Sequence, residues 1–246
     1  MSPPIVWSLL AFVVCFAFAA ETALGFGAMV LSLSMGAQLV PLDALLPTLL
    51  PLNIALSLYL VARTWRSIDR RFLLRRLFPA VLAGVPLGIV AFAHLPRPIL
   101  VRGFGAFVVL LALSELLRAW RGAEARTLGR PLRIVLLVLG GAIHGAFATG
   151  GPLIVYVASR ELRDKHAFRA TLSALWAVAG VAIVSSLAVS GKITETTLRG
   201  SALLLLPCAL GLAIGEVVHR RIDERRLRVA VFVMLLIAGS LLLRGG

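Results

Sequence analysis

Acidic residues are scarce in this chain: 11 Asp and Glu stand against 25 Lys and Arg in 246 residues, a formal net charge of +14. Cysteine is scarcer, and both copies, Cys15 and Cys208, lie inside apolar runs. Neither a disulfide framework nor a metal-ligand spacing can be drawn from them, and they read as small packing residues. No polar low-complexity tract occurs, and no loop is long enough to house a second domain. Catalytic motifs are missing too. There is no Gly-x-Ser-x-Gly elbow, no paired-carboxylate metal motif and no His-x-x-x-His spacing, so nucleophilic and metal-hydrolytic enzymes lack parts. An intramembrane serine protease needs a serine on a Gly-rich turn, where His144-Gly145-Ala146-Phe147-Ala148-Thr149-Gly150-Gly151 offers only threonine. No cofactor is called for.

What is present is apolar. Hydrophobic residues make up 60% of the chain, and mean hydropathy is +0.98. A soluble domain of this length cannot wet so much apolar surface, whereas a bilayer supplies an apolar solvent. The excess of positive charge falls in separate short loops beside apolar spans, as in cytoplasmic loops of membrane proteins. Scattered in this way it does not form a nucleic-acid-binding stripe. Met1 to Ala20, with Ala17-Phe18-Ala19, mimics a signal peptide but lacks a basic n-region and runs on into apolar sequence. It reads as a retained first membrane segment.

Apolar stretches fall at about 5–40, 42–63, 72–93, 98–118, 132–160, 167–189, 197–218 and 227–243. Six suit one crossing each, at ~20 residues per span. The stretches 5–40 and 132–160 do not, and glycines interrupt both: Gly25-Phe26-Gly27 in the first, Gly145 and Gly150-Gly151-Pro152 in the second. Charge decides what they are. If 132–160 enters and leaves on one side, as a helical hairpin, the Lys and Arg of the loops divide 20 to 5 between the two sides. If it crosses once, the division is 14 to 11. The positive-inside bias selects the hairpin.

Each half, 1–120 and 121–246, then holds a hairpin and three single crossings. An odd number of net traversals places tandem halves upside down relative to each other, the inverted-repeat plan of many secondary transporters. The expected fold is therefore all-α: a polytopic helical membrane bundle of two inverted repeats, each a Gly-broken helical hairpin plus three transmembrane helices. Self-similarity agrees. Gly84-x3-Gly88 precedes His94 and Leu100-Val101-Arg102; Gly211-x3-Gly215 precedes His219 and Leu227-Arg228-Val229, with Pro79 and Pro207 upstream. Small residues four apart let membrane helices approach closely. The hairpins echo each other as Gly25-Phe26-Gly27 against Gly145-Ala146-Phe147 with Gly150-Gly151.

Broken helices at membrane depth are tolerated only where they are buried or line a cavity, so the breaks are the candidate site. Helix N-termini there offer free N–H groups to an anion; the bland alternative is that the glycines only permit tight packing. Glu21, placed between the first hairpin's two arms four residues before Gly25, is an ionisable side chain in an apolar run; it could take up a coupled proton or hold a neighbouring Arg, or be a helix-end carboxylate in the headgroup zone. His144 occupies the comparable place in the second hairpin and could carry protons or simply pack. Asn53, after Pro47 and Pro51, could contact substrate or satisfy backbone freed by the prolines. Thr48 and Thr149 add hydroxyl donors. Arg169 could grip a carboxylate or sulfonate bidentately, or snorkel to headgroups. The arginines at 70, 71, 75, 76, 220, 221, 225 and 226 read as orientation anchors.

These residues resemble the sulfite exporter TauE/SafE family. The first repeat is carried by Glu21-Thr22-Ala23-Leu24-Gly25-Phe26-Gly27 and by Leu45 to Asn53. The second is carried by Gly140-Gly141 through Gly145, Thr149-Gly150-Gly151-Pro152, Tyr156, Asp164-Lys165 and Phe168-Arg169-Ala170-Thr171-Leu172. Glu21 stands where the family often has a small residue, and Ala28-Met29 replaces further glycine. The resemblance implies a permease for small anions (sulfite, organosulfonates, related carboxylates) in the cytoplasmic membrane of a bacterium. The expected site combines backbone near Gly25, Phe26, Gly27, Gly150 and Gly151 with Thr48, Asn53, Thr149 and Arg169, with Glu21 and His144 coupling protons. The expected partners are a small anionic substrate and the lipid bilayer, without nucleic acid, and a homo-oligomer is compatible with them. The rival readings are a cation or metal permease, which would need more converging ligands than Glu21 and His144, and a non-transporting membrane scaffold.

Overall fold

A computed structural model describes residues 3–24, 27–121, 129–149, 151–162, 164–221 and 224–245, and every regular element among them is helical. The helices are α1 (Pro3–Leu24), α2 (Ala28–Gly36), α3 (Leu42–Thr64), α4 (Arg70–Phe72), α5 (Phe78–His94), α6 (Arg97–Arg121), α7 (Arg130–Phe147), α8 (Gly151–Glu161), α9 (Lys165–Val189), α10 (Glu195–Arg221) and α11 (Glu224–Gly245). A π-helical turn, Leu73–Leu77, joins α4 to α5 into one continuous rod. Seven helices in the described residues are long and apolar enough to cross a bilayer. Their outward side chains are apolar as well, Leu110 and Leu206 each 68% exposed. In water such a surface would aggregate; in lipid it is solvated. The chain is a multi-pass membrane protein.

Capping residues set several boundaries. Asp164 accepts a hydrogen bond from the Ala167 N–H at 2.7 Å to start α9, and Asp69 accepts from the Phe72 N–H at 2.8 Å to start α4. Each satisfies an orphan donor of a first turn. The backbone N–H of Asp69 in turn donates to the Thr171 hydroxyl of α9 at 2.9 Å, which ties the basic loop to the Phe168–Thr171 stretch.

Both long apolar stretches are broken hairpins with a long first arm and a short second one. α1 and α7 have 22 and 18 residues, α2 and α8 only 9 and 11. At 1.5 Å per residue the short arms reach about 14–17 Å, half of a ~30 Å hydrocarbon core. The second break lies later than expected: Gly145 stays inside α7, which ends at Ala148 in the left-handed region (φ 53°) with its N–H on the His144 carbonyl. Glu21 likewise lies in the last turn of α1 and not between the arms. At the first break Gly27 has φ 118°, open to glycine alone at no cost. Gly25, Phe26 and Gly150 fall outside the described residues.

The chain forms two compact units, each drawn from both sequence halves: Met1–Leu49, Leu95–Glu124 and Thr194–Gly246 in one, Leu50–His94 and Ala125–Ile193 in the other. In the first, α10 packs on α1 and α11 on α6; in the second, α5 packs on α7. The glycine pairs make these contacts. A Cβ on Gly211 or Gly215 would overlap the Cys15 or Ala19 carbonyl of α1, and one on Gly84 or Gly88 would overlap the Val138 or Ala142 carbonyl of α7. So the third long helix of each half lies on the first hairpin arm of the other half, with its glycines over carbonyls four residues apart. Ala19 and Ala142, met by the second glycine of each pair, both stand nine residues before the short arm begins at Ala28 or Gly151.

Candidate functional site

That shared register makes Glu21 and His144 counterparts, each seven residues ahead of its short arm. It replaces the looser echo between Gly25-Phe26-Gly27 and Gly145-Ala146-Phe147, because Gly145 packs on the Val85 carbonyl of α5. Gly27 corresponds instead to Gly150.

In the first unit the Glu21 carboxylate reaches across the break. The Ala28 N–H, first of α2, donates to Glu21 Oε2 at 2.6 Å, and the side chain is 5% exposed. A carboxylate there meets both the unfilled N–H groups and the positive end of the helix dipole. Thr48 is buried in the same unit. Its hydroxyl donates to the Ala44 carbonyl at 2.8 Å, and its own carbonyl accepts from the Ser201 hydroxyl at 2.7 Å. Pro51, which has no N–H, interrupts the hydrogen-bond ladder of α3 nearby.

The second unit holds Asn53, His144, Thr149, Gly151 and Arg169. His144 is 3% exposed and stacks on Trp176 of α9, ring centroids 4.9 Å apart. Neither of its ring nitrogens has a hydrogen-bond partner among the described residues, and the same holds for the Thr149 hydroxyl, also 3% exposed. Buried polar atoms are ordinarily satisfied, so these atoms, like the hydroxyls of Thr22, Ser32 and Ser57, call for water or another partner. Thr149 stands two residues before the first residue of α8. Arg169 is half-buried in the first turn and a half of α9, and Asn53 is 5% exposed in α3.

Two contacts were not readable from the chain. Trp176, the cover of His144, lies 32 positions away in an apolar helix. Glu161, at the end of α8, accepts hydrogen bonds from both Arg76 and Arg133, so Arg76, expected only as an anchor, also clamps three elements of its unit. A cavity of about 390 Å³ opens beside this clamp, lined by Asp69, Arg71, Phe72, Arg75, Arg76, Glu161 and Leu162.

Apolar spans interrupted by short second arms, with buried polar side chains near the breaks, are the pattern of membrane transport proteins. The description "Sulfite exporter TauE/SafE" matches residues 9–242. The chain belongs to the sulfite exporter TauE/SafE family. Over 102 residues it is 30% identical to the Probable inner membrane transporter protein TsaS of Comamonas testosteroni, a match spanning 41% of this chain and 43% of that protein. No solved structure matches it.

Proposed function

We propose that the protein is a permease that moves a small anion, such as sulfite, an organosulfonate or a related carboxylate, across the cytoplasmic membrane by alternating access of two inverted halves. Membership of a sulfite exporter family supports the substrate class. The observation that carries the reading is the second hairpin, where buried His144 and Thr149 leave polar atoms without partners beside the start of α8. The backbone N–H of Gly151, at the start of α8, would serve the anion there, with Asn53 and Arg169 of the same unit as further contacts. His144 is the group to carry a coupled proton. The other buried titratable side chain of the hairpins, Glu21, is already hydrogen-bonded to the Ala28 N–H.

Purified protein in proteoliposomes is expected to give saturable uptake of radiolabelled sulfite or a sulfonate, severalfold above empty vesicles and altered by an imposed pH gradient. No flux for any of these anions, in either direction, would sink the permease reading. The inverted arrangement has its own test, in a background carrying Cys15→Ala and Cys208→Ala. There, His166→Cys is expected to label from the cytoplasmic face and Gly191→Cys from the opposite face. Labelling of His166→Cys from the periplasm would refute it.

A further inference from the structure

The two hairpins share a register but not a chemistry. Seven residues before its short arm the first carries a carboxylate and the second an imidazole, at Glu21 and His144. The carboxylate is in place on the α2 N-terminus, 2.6 Å from the Ala28 nitrogen. The imidazole has both nitrogens unpartnered, as does the nearby Thr149 hydroxyl. The first hairpin also has unpartnered hydroxyls, on Thr22, which packs against Gly215 of α10, and on Ser32 within α2, but no unpartnered carboxylate or imidazole among its described residues.

We propose that the first hairpin carries its anion in cis: the Glu21 carboxylate permanently fills a carboxylate site at the α2 N-terminus. The protein is left with one site for an external anion, at the second hairpin among His144, Thr149 and the start of α8. This rests on the anion-permease reading for the second site, whereas the first site stands on its own geometry. A carboxylate held by the Ala28 N–H and by the dipole of a buried helix end neutralises there what a bound anion would otherwise neutralise. With Glu21 in place α2 stays fixed whether or not substrate is bound, so only one hairpin responds to the substrate.

Glu21→Ala removes the side chain beyond Cβ, a fragment with the shape and charge of acetate. The variant in detergent is expected to melt below the native protein and to regain several degrees with acetate, saturably, when chloride at equal ionic strength has no effect. By linkage, each tenfold excess over the dissociation constant adds about 3–5 °C for a chain of this size. The native protein, with only the second site open to an external anion, gains less from acetate than Glu21→Ala does. Adding Thr149→Val to Glu21→Ala leaves the acetate rescue intact, because the two sites are separate. Glu21→Gln keeps an acceptor for the Ala28 N–H and most of the volume but loses the charge. A melting point at least about 3 °C below native is expected for it, since charge-assisted bonds are roughly twice as strong as neutral ones.

A native-like melting point for Glu21→Gln, or a Glu21→Ala protein no more sensitive to acetate than the native one, would overturn the cis-anion proposal. Neither readout needs transport. An absence of flux in native proteoliposomes therefore removes the permease reading and leaves these melting shifts to be judged alone.

Discussion

Gly88→Ala is expected to destabilise the protein by about 1–3 kcal/mol or more, and Gly103→Ala to stabilise it by about 0.5–1 kcal/mol, although both add one methyl group to a helix. The opposite signs follow from what each new Cβ meets. At Gly88 it would overlap the Ala142 carbonyl oxygen, with the Ala146 nitrogen 2.6 Å away. Both are backbone atoms of α7, so relief requires α5 and α7 to part along their whole contact. At Gly103, in α6, nothing lies within 4 Å, so only the lower chain entropy of the unfolded state is felt. Lipid tails are as apolar as leucine, and no hydrophobic gain drives α5 back onto α7 once they separate; close packing is what holds them. Melting in a mild detergent should show Gly88→Ala at least about 2–4 °C below native and Gly103→Ala at or above it. A pair of equal shifts would mean that the α5–α7 contact is not as close as described. Gly215→Ala, over the Ala19 carbonyl in the other unit, should behave like Gly88→Ala.

The same glycines explain how far the chain could be read without coordinates. The long spans, the two broken hairpins and the paired glycines are all visible in sequence, because hydropathy and glycine spacing report on a membrane environment directly. Which helix faces which is not. A helix apolar on every side presents no stripe toward a partner, and so α10 on α1 and α5 on α7 can only be guessed from the small-residue pairs. The candidate site was legible by residue type and not by role. Glu21 stands out as an ionisable side chain in an apolar run, but its place on the Ala28 N–H depends on where α2 starts. His144 stands out in the same way, while its cover, Trp176, is shown only by the packing of α9 beside α7. Glu161 carries no local signal of its role; only the fold shows Arg76 and Arg133 converging on it.

His144→Phe and Thr149→Val should each make the protein more stable and a worse transporter. Phenylalanine keeps a ring to stack on Trp176 and removes two buried nitrogens that have no partner among the described residues. Valine keeps the shape of threonine and removes a third such atom. A buried polar group left unsatisfied costs about 1–3 kcal/mol, so its deletion should raise the melting point by roughly 2–10 °C in the absence of substrate. Hydrogen bonds to a charged partner contribute about 1.5–3 kcal/mol, so the loss of either donor should raise the KM for the anion about ten- to a hundredfold. Added sulfite should stabilise the native protein and neither variant. The trade is the signature of a binding site, whose residues are strained in the empty protein and satisfied only by the ligand. If both residues are structural, stability and uptake fall together. If they are inert packing, uptake is unchanged while the melting point rises. Melting curves and uptake measured on the same two preparations separate the three cases, and only a rise in stability joined to a loss of affinity places the anion at the second hairpin.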